Sequence, residues 1–143
     1  MKVMRILLAD DHALFREGIA FLLSSRPDLK LVGEAKDGLE AIKLAREKRP
    51  DIILMDLEMP RCDGLEALKI LTAEMPNVAV VMMALWDDDG LREQAFKNGA
   101  KGYLLKNLEP PDLYRLLDQI RQSAADISGG EVVSGTPQEF HNL

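Results

Sequence analysis

The run Val3-Met4-Arg5-Ile6-Leu7-Leu8-Ala9-Asp10-Asp11 decides the fold, because a short apolar stretch closes on two adjacent acids. Two later runs repeat the pattern. Ile52-Ile53-Leu54-Met55 closes on Asp56, and Gly102-Tyr103-Leu104-Leu105 closes on Lys106. Buried strands that each end in a charge predict a single site where the strands emerge together. Carboxylates packed side by side repel one another unless a cation joins them, so the acids imply a bound metal ion. The lysine implies an anion that arrives with the metal.

Working outward from these runs, strand and helix alternate five times. Residues 3–9 read as a buried strand. Residues 12–25 carry Phe15, Ile19, Leu22 and Leu23 at helical spacing, with Asp11 expected as N-cap and Pro27 marking the exit. Residues 29–35 read as a weaker strand, interrupted by Lys30, Gly33 and Glu34, and 38–48 as a helix. The nearly all-apolar run 51–56 has the character of a strand covered on both faces. A loop over 57–64 leads to a helix over 65–74, a strand over 78–84 and a helix opened by Asp87-Asp88-Asp89 and stopped at Asn98-Gly99. Residues 101–105 form the fifth strand, and Pro110-Pro111 starts a last helix through about Gln122. Such alternation with short loops predicts a parallel sheet carrying helices on both faces, whose site lies beyond the carboxyl ends of the strands.

The chain of 143 residues is long enough for one domain with a real core. A net charge of −6 argues against nucleic-acid binding through the overall field. No apolar run approaches the about 20 residues that span a bilayer, and Met1 opens on a strand pattern without a signal peptide. The lone Cys62 excludes an internal disulfide and fits a reducing compartment, so a cytoplasmic location is expected. Residues 124–143 contain Gly129-Gly130 and Thr136-Pro137 but no lysine or arginine, and read as a linker or mobile tail.

The chemistry expected of the cluster is phosphoryl handling. Asp56 would act as nucleophile, with magnesium between its carboxylate and the incoming oxygens. Asp11 would ligate that ion directly, Asp10 directly or through water, and the backbone carbonyl of Glu58 would add an oxygen. Lys106 would pair with the phosphoryl oxygens as a mobile point charge. Transfer would be in line, aided mainly by positioning and electrostatics.

The motifs Leu8-Ala9-Asp10-Asp11-His12, Asp56-Leu57-Glu58-Met59-Pro60-Arg61-Cys62-Asp63-Gly64 and Gly102-Tyr103-Leu104-Leu105-Lys106 closely resemble the receiver domain of bacterial two-component response regulators. The resemblance covers residues 1–123, which leaves 124–143 as the linker with an output domain absent. Asp-Asp-His followed by Arg16-Glu17-Gly18 is most similar to the NarL/FixJ branch, which carries a LuxR-type helix-turn-helix output. The resemblance implies a flavodoxin-like sheet of order 2-1-3-4-5. It further implies phosphorylation of Asp56 by a sensor histidine kinase, with magnesium held by Asp10, Asp11, Asp56 and the Glu58 carbonyl. Lys106 would sense the phosphate. A homodimer on activation is implied, built on the fourth and fifth helices and the fifth strand. DNA would be reached only through an output domain, and no membrane is involved.

One position departs from the family pattern. Ala84 stands where the family has Thr or Ser, a hydroxyl that bonds a phosphoryl oxygen and draws the next loop inward. Losing a charge-assisted hydrogen bond of about 1.5–3 kcal/mol weakens that switch. Tyr103 matches the family's switch aromatic, and Leu85 and Trp86 are expected at the mouth of the site, with Trp86 shielding the phosphoryl group. His12 is expected to face solvent, Cys62 to be a bystander, and Met59, Met82 and Met83 to pack. Asp87-Asp88-Asp89 is read as a solvated helix start rather than a second metal site.

Two other functions compete. A receiver-like interaction module that works without phosphorylation is encouraged by Ala84. A metal-dependent phosphatase or nucleic-acid-cleaving enzyme also gathers acids at strand ends, but the order of acids counts against it. A haloacid-dehalogenase-type phosphatase wants Asp-x-Asp after the first strand, where this chain has Asp10-Asp11-His12. A Toprim site wants a Glu there and Asp-x-Asp later, where this chain has Asp56-Leu57-Glu58.

Overall fold

A computed structural model describes residues 2–125 of the chain. The strands are β1 (Met4–Ala9), β2 (Leu29–Ala35), β3 (Ile52–Asp56), β4 (Ala79–Ala84) and β5 (Gly102–Leu105). They alternate with helices α1 (Ala13–Ser24), α2 (Gly38–Lys48), α3 (Gly64–Glu74), α4 (Asp89–Lys97) and α5 (Pro110–Ala125). All strand pairs are parallel, in the order β2-β1-β3-β4-β5, which is the flavodoxin-like order expected. The chain leaves β1 towards β2 on one side and returns to β3 on the other, so the switch in direction falls between β1 and β3. Ligand crevices form at such points.

Side chains alternate across the sheet. Ile6, Leu8, Ile52, Leu54, Val81, Met83 and Leu104 face α1 and α5, where Ile19, Leu23, Leu113, Leu116, Leu117 and Ile120 meet them. Leu7, Ala9, Ile53, Met55, Val80, Met82 and Tyr103 face α2, α3 and α4, packing on Ala41, Ala45, Leu68, Leu71 and Ala95. Every residue of β3 is buried, as its unbroken apolar run requires. Replacing fully buried Leu54 by alanine would cost about 3 kcal/mol. The interruption read in β2 is real: register slips between Ile6, opposite Leu31, and Leu7, opposite Gly33.

Asp37, Asp63 and Asp88 cap α2, α3 and α4, accepting from the backbone N–H of Glu40, Glu66 and Leu91. The expected Asp11 cap of α1 is not found. That helix begins one residue later, its N-cap is His12 without a side-chain bond, and the His12 N–H goes instead to Asp10 Oδ1 at 2.8 Å. Asp11 lies outside the helix, exposed and free for other ligands. The last helix runs past Gln122 to Ala125. The helix thereby takes in the first two residues of the linker expected over 124–143, and the rest, 126–143, lies outside the described residues.

The pole away from the acids is tied by buried Asp28. Its carboxylate accepts from Arg26 Nη2 at 2.7 Å and from Arg121 Nη2 at 3.0 Å. Arg26 also reaches Asp118 on α5 and lies over the Tyr114 ring at 5.3 Å. The Tyr114 hydroxyl donates to the Leu22 carbonyl at 2.6 Å. Hydrogen bonding from Arg26 outweighs burial and holds the Asp28 carboxyl below its ordinary range.

Candidate functional site

Register brings the acids together. Ala9 lies opposite Met55, so the residues that follow them, Asp10 and Asp56, emerge side by side. Ladder bonds continue one residue past the strands: Asp10 N–H to the Ala35 carbonyl at 3.0 Å, Leu57 N–H to Met83 at 2.9 Å and Lys106 N–H to Ala84 at 2.8 Å. The site is therefore mounted on the ends of hydrogen-bonded strands, and rigid elements hold functional groups with little play.

Asp10, Asp11 and Asp56 each place a carboxylate oxygen within 4.8 Å of the others. Asp10 is fully buried, Asp56 nearly so, and Asp11 is exposed at the rim. Three hard oxygen donors with one open edge suit a small divalent cation that keeps several waters. Lys106, from the edge strand β5, spans the sheet to set Nζ 2.7 Å from Asp10 Oδ2 and 3.0 Å from Asp56 Oδ2. Its side chain is 8% exposed.

Burial pushes the Asp56 carboxyl up to about 6, the Asp10 charge adds to this, and hydrogen bonding from Lys106 opposes it. Burial pulls the Lys106 ammonium down, but hydrogen bonds to Asp10 and then Asp56 outweigh it and leave it raised. The lysine thus stays charged while the acid beside it is only moderately acidic, a perturbation typical of functional sites.

The loop after Asp56 wraps closely around that residue. The Glu58 N–H donates to Asp56 Oδ1 at 3.3 Å, and the Gly64 N–H donates to the Leu57 carbonyl at 2.9 Å. A Cβ on Gly64 would fall 2.0 Å from the Asp56 carbonyl oxygen, so only glycine lets α3 begin here. Arg61, in the left-handed region at φ 67°, is held by Asp37 through Nη2 at 2.8 Å and Nε at 3.0 Å.

Ala84 is buried at the end of β4 beside the acids, and its methyl offers no hydrogen bond. Leu85 is 59% and Trp86 75% exposed, which leaves the indole in solvent. The Tyr103 ring is fully buried among the residues facing α2, α3 and α4, and its hydroxyl lacks a hydrogen-bond partner among the described residues. Burial, then the charges of Asp88 and Asp87, push that hydroxyl up to about 12.

The remaining suspects resolve simply. His12 is exposed, while Met59, Met82 and Met83 are packed. Burial, then Glu66 and Asp63, raise the Cys62 thiol, so it is not activated. Asp88 is a helix cap, and Asp87 and Asp89 pair with Arg92, which leaves no second metal cluster among the described residues.

Two site contacts escape a linear reading. Arg16 Nη1 donates to the Asp10 carbonyl at 2.7 Å while its Nε stands 3.4 Å from Glu34. Phe15 turns its ring beneath Lys106, whose Nζ lies 4.9 Å from the centroid. Both lie in the first turns of α1; helical spacing marks Phe15 as inward, but neither contact has a local sequence signature.

A family model of the response regulator receiver domain matches residues 6–118. The chain is similar to the transcriptional regulatory protein YxjL of Bacillus subtilis, with 40% identity over 120 residues, 84% of this chain and 54% of that protein. It is 43% identical over 114 residues to the nitrate/nitrite response regulator protein NarL of Escherichia coli, covering 80% of this chain and 53% of that one. The solved signal receiver domain described for NarL of Mycobacterium tuberculosis matches with a TM-score of 0.80 at 32% identity, over 85% of this chain and 98% of that one. The chain spans about half the length of the curated relatives it matches.

Proposed function

The chain belongs to the response regulator receiver domain family, and on that footing we propose that Asp56 is its phosphoacceptor. The ionised carboxylate attacks the phosphorus of the donor, an O–P bond forms, and the P–N bond of a phosphohistidine or the P–O bond of an acyl phosphate breaks. The leaving group departs in line with its electron pair. Lys106 leaves its place between Asp10 and Asp56 to neutralise the phosphoryl oxygens. Asp10, Asp11, Asp56 and the Glu58 carbonyl would hold magnesium, which supplies charge neutralisation and orientation. Without a metal the acceptor is mostly ionised above about pH 6, and a cation beside it would extend the ionised range to lower pH.

The observation that carries this reading is the buried Asp56 carboxylate with an amine 3.0 Å away and two acids beside it. A sensor histidine kinase is the expected donor, met in the cytoplasm. A homodimer on activation and DNA contact through another part of a larger regulator complete the proposal, with residues 1–123 as the phosphoacceptor unit. Incubation with a small acyl phosphate and magnesium should add one phosphoryl group per chain and then stop. Continuous turnover of phosphate esters would instead indicate an enzyme.

Ala84 favours a second reading for the output, in which phosphorylation couples weakly. Tyr103 is already inside without a hydroxyl on β4 to draw it there. Oligomeric state with and without beryllofluoride separates the two. A change supports the switch, and identical states support an interaction module independent of phosphorylation.

A further inference from the structure

We propose that Phe15 is a positioning residue for Lys106, holding the amine over the acids by the face of its ring; this rests on the phosphoacceptor reading above. The ammonium lies 4.9 Å from the ring centroid, inside the range in which a cation is drawn to an aromatic face. The ring belongs to the first turn of α1, so the helix start that follows Asp10 and Asp11 also carries the support for the lysine. Phe15 is half-buried, whereas its neighbour Leu14 is 73% exposed, which marks the inward turn of the ring.

Lys106 needs such support. It projects from an edge strand on a flexible four-carbon stem and must reach across β4 to groups on β3 and β1. Its other partners, Asp10 and Asp56, are the groups it must yield to a metal or leave for the phosphoryl oxygens. A further carboxylate could anchor the amine, but it would add negative charge to a site that must accept a phosphoryl dianion. An aromatic face attracts the cation without that charge and without fixing a direction. The amine can therefore slide from Asp10 to a phosphoryl oxygen while remaining attracted to the ring. Ala84 sharpens the requirement, because no hydroxyl on β4 shares the work of meeting those oxygens.

The full chain with Phe15→Leu and Phe15→Tyr tests this. Leucine keeps an apolar group against Ile19 and its neighbours but removes the π-face, whereas tyrosine keeps the face. Initial labelling by acetyl phosphate with magnesium should fall about fivefold in Phe15→Leu and return to wild-type rate in Phe15→Tyr. Nuclear magnetic resonance adds a readout that does not depend on phosphorylation. The Lys106 ε-methylene protons should be shifted upfield by the ring in wild type and Phe15→Tyr, and should move to ordinary lysine values in Phe15→Leu. If Phe15→Leu does not fold, Phe15→Met takes its place. Equal labelling rates with an unmoved methylene signal would overturn the proposal. Failure of the wild type to label would overturn the phosphoacceptor reading instead, and the methylene signal would then decide the Phe15 contact alone.

Discussion

Lys106 and Asp56 stand 50 residues apart in sequence and 3.0 Å apart in space, amine to carboxylate, at the carboxyl rim of the sheet. Parallel pairing makes the contact possible, because every strand delivers its last residue to the same edge. The pair is also part of a tense cluster. Asp10 and Asp11 bring further negative charge within 4.8 Å, and the interior offers little water to screen it.

Tension of this kind costs stability when no metal is bound. Asp56 titrates at about 6 against an ordinary 3.8. Between those values the unfolded chain is ionised while the folded one keeps its proton. The contribution is fully present below 3.8 and is lost as pH rises through about 6, a cost of about 3 kcal/mol at full shift. In chelator, Asp56→Asn is expected to melt above wild type at pH 7.5, with the gap closing towards pH 4. Melting curves across that range check it, and a gap independent of pH contradicts it.

Asp28 works in the opposite sense. Arg26 and Arg121 hold its carboxyl below the ordinary value of 3.8, so its contribution is present above that pH and is lost as pH falls through the lower folded value. Asp28→Asn leaves Arg121 without its carboxylate and Arg26 with Asp118 alone, and should cost about 2 kcal/mol at pH 7. Urea titrations at pH 7 and pH 3 should show the larger deficit at the first, and a deficit that does not shrink as pH falls below 3.8 would contradict it.

Gly64 tests how closely the loop must wrap Asp56. A methyl group there would lie 2.0 Å from the Asp56 carbonyl oxygen and 2.8 Å from the Leu57 Cα, both backbone atoms that cannot swing aside. Gly64→Ala should therefore cost about 3 kcal/mol and slow phosphoryl uptake by displacing Asp56. Gly18→Ala, where nothing lies within 4 Å, serves as the control: in the middle of α1 it should raise stability by about 0.5–1 kcal/mol and leave uptake unchanged.

Much of this layout is legible in the sequence, for a physical reason. Strands of a parallel sheet are covered on both faces, so they appear as dense apolar runs, and a charge that ends such a run cannot remain inside it. That logic locates Asp10, Asp56 and Lys106 without reference to tertiary structure. It places Asp11 in the same cluster and fails only on its expected second role as the cap of α1, because an acid before a helix has the same local signature whether it caps or faces a crevice. It also fails for Phe15, Arg16 and Asp28. Helical spacing marks Phe15 as apolar and inward, but the charge above it comes from β5, far along the chain. The inward resting place of Tyr103 is likewise a matter of packing against α2, α3 and α4, which no local pattern encodes.

Tyr103 is buried with a hydroxyl that finds no hydrogen-bond partner among the described residues. Removing that oxygen should relieve a desolvated polar group, so Tyr103→Phe is expected to be about 1 kcal/mol more stable than wild type. Denaturant midpoints at pH 7 decide it. A clear loss of stability would mean that the hydroxyl is bonded in solution.

The most direct measurement is to locate the phosphoryl group itself. Acetyl phosphate and magnesium are added to the chain, the acyl phosphate is reduced with borohydride, and the digested peptides are mapped by mass. Conversion of the Asp56 carboxyl to an alcohol is expected at that position alone, with none in Asp56→Asn or in chelator. Modification at another residue, or a phosphoryl group gained equally by Asp56→Asn, would contradict it.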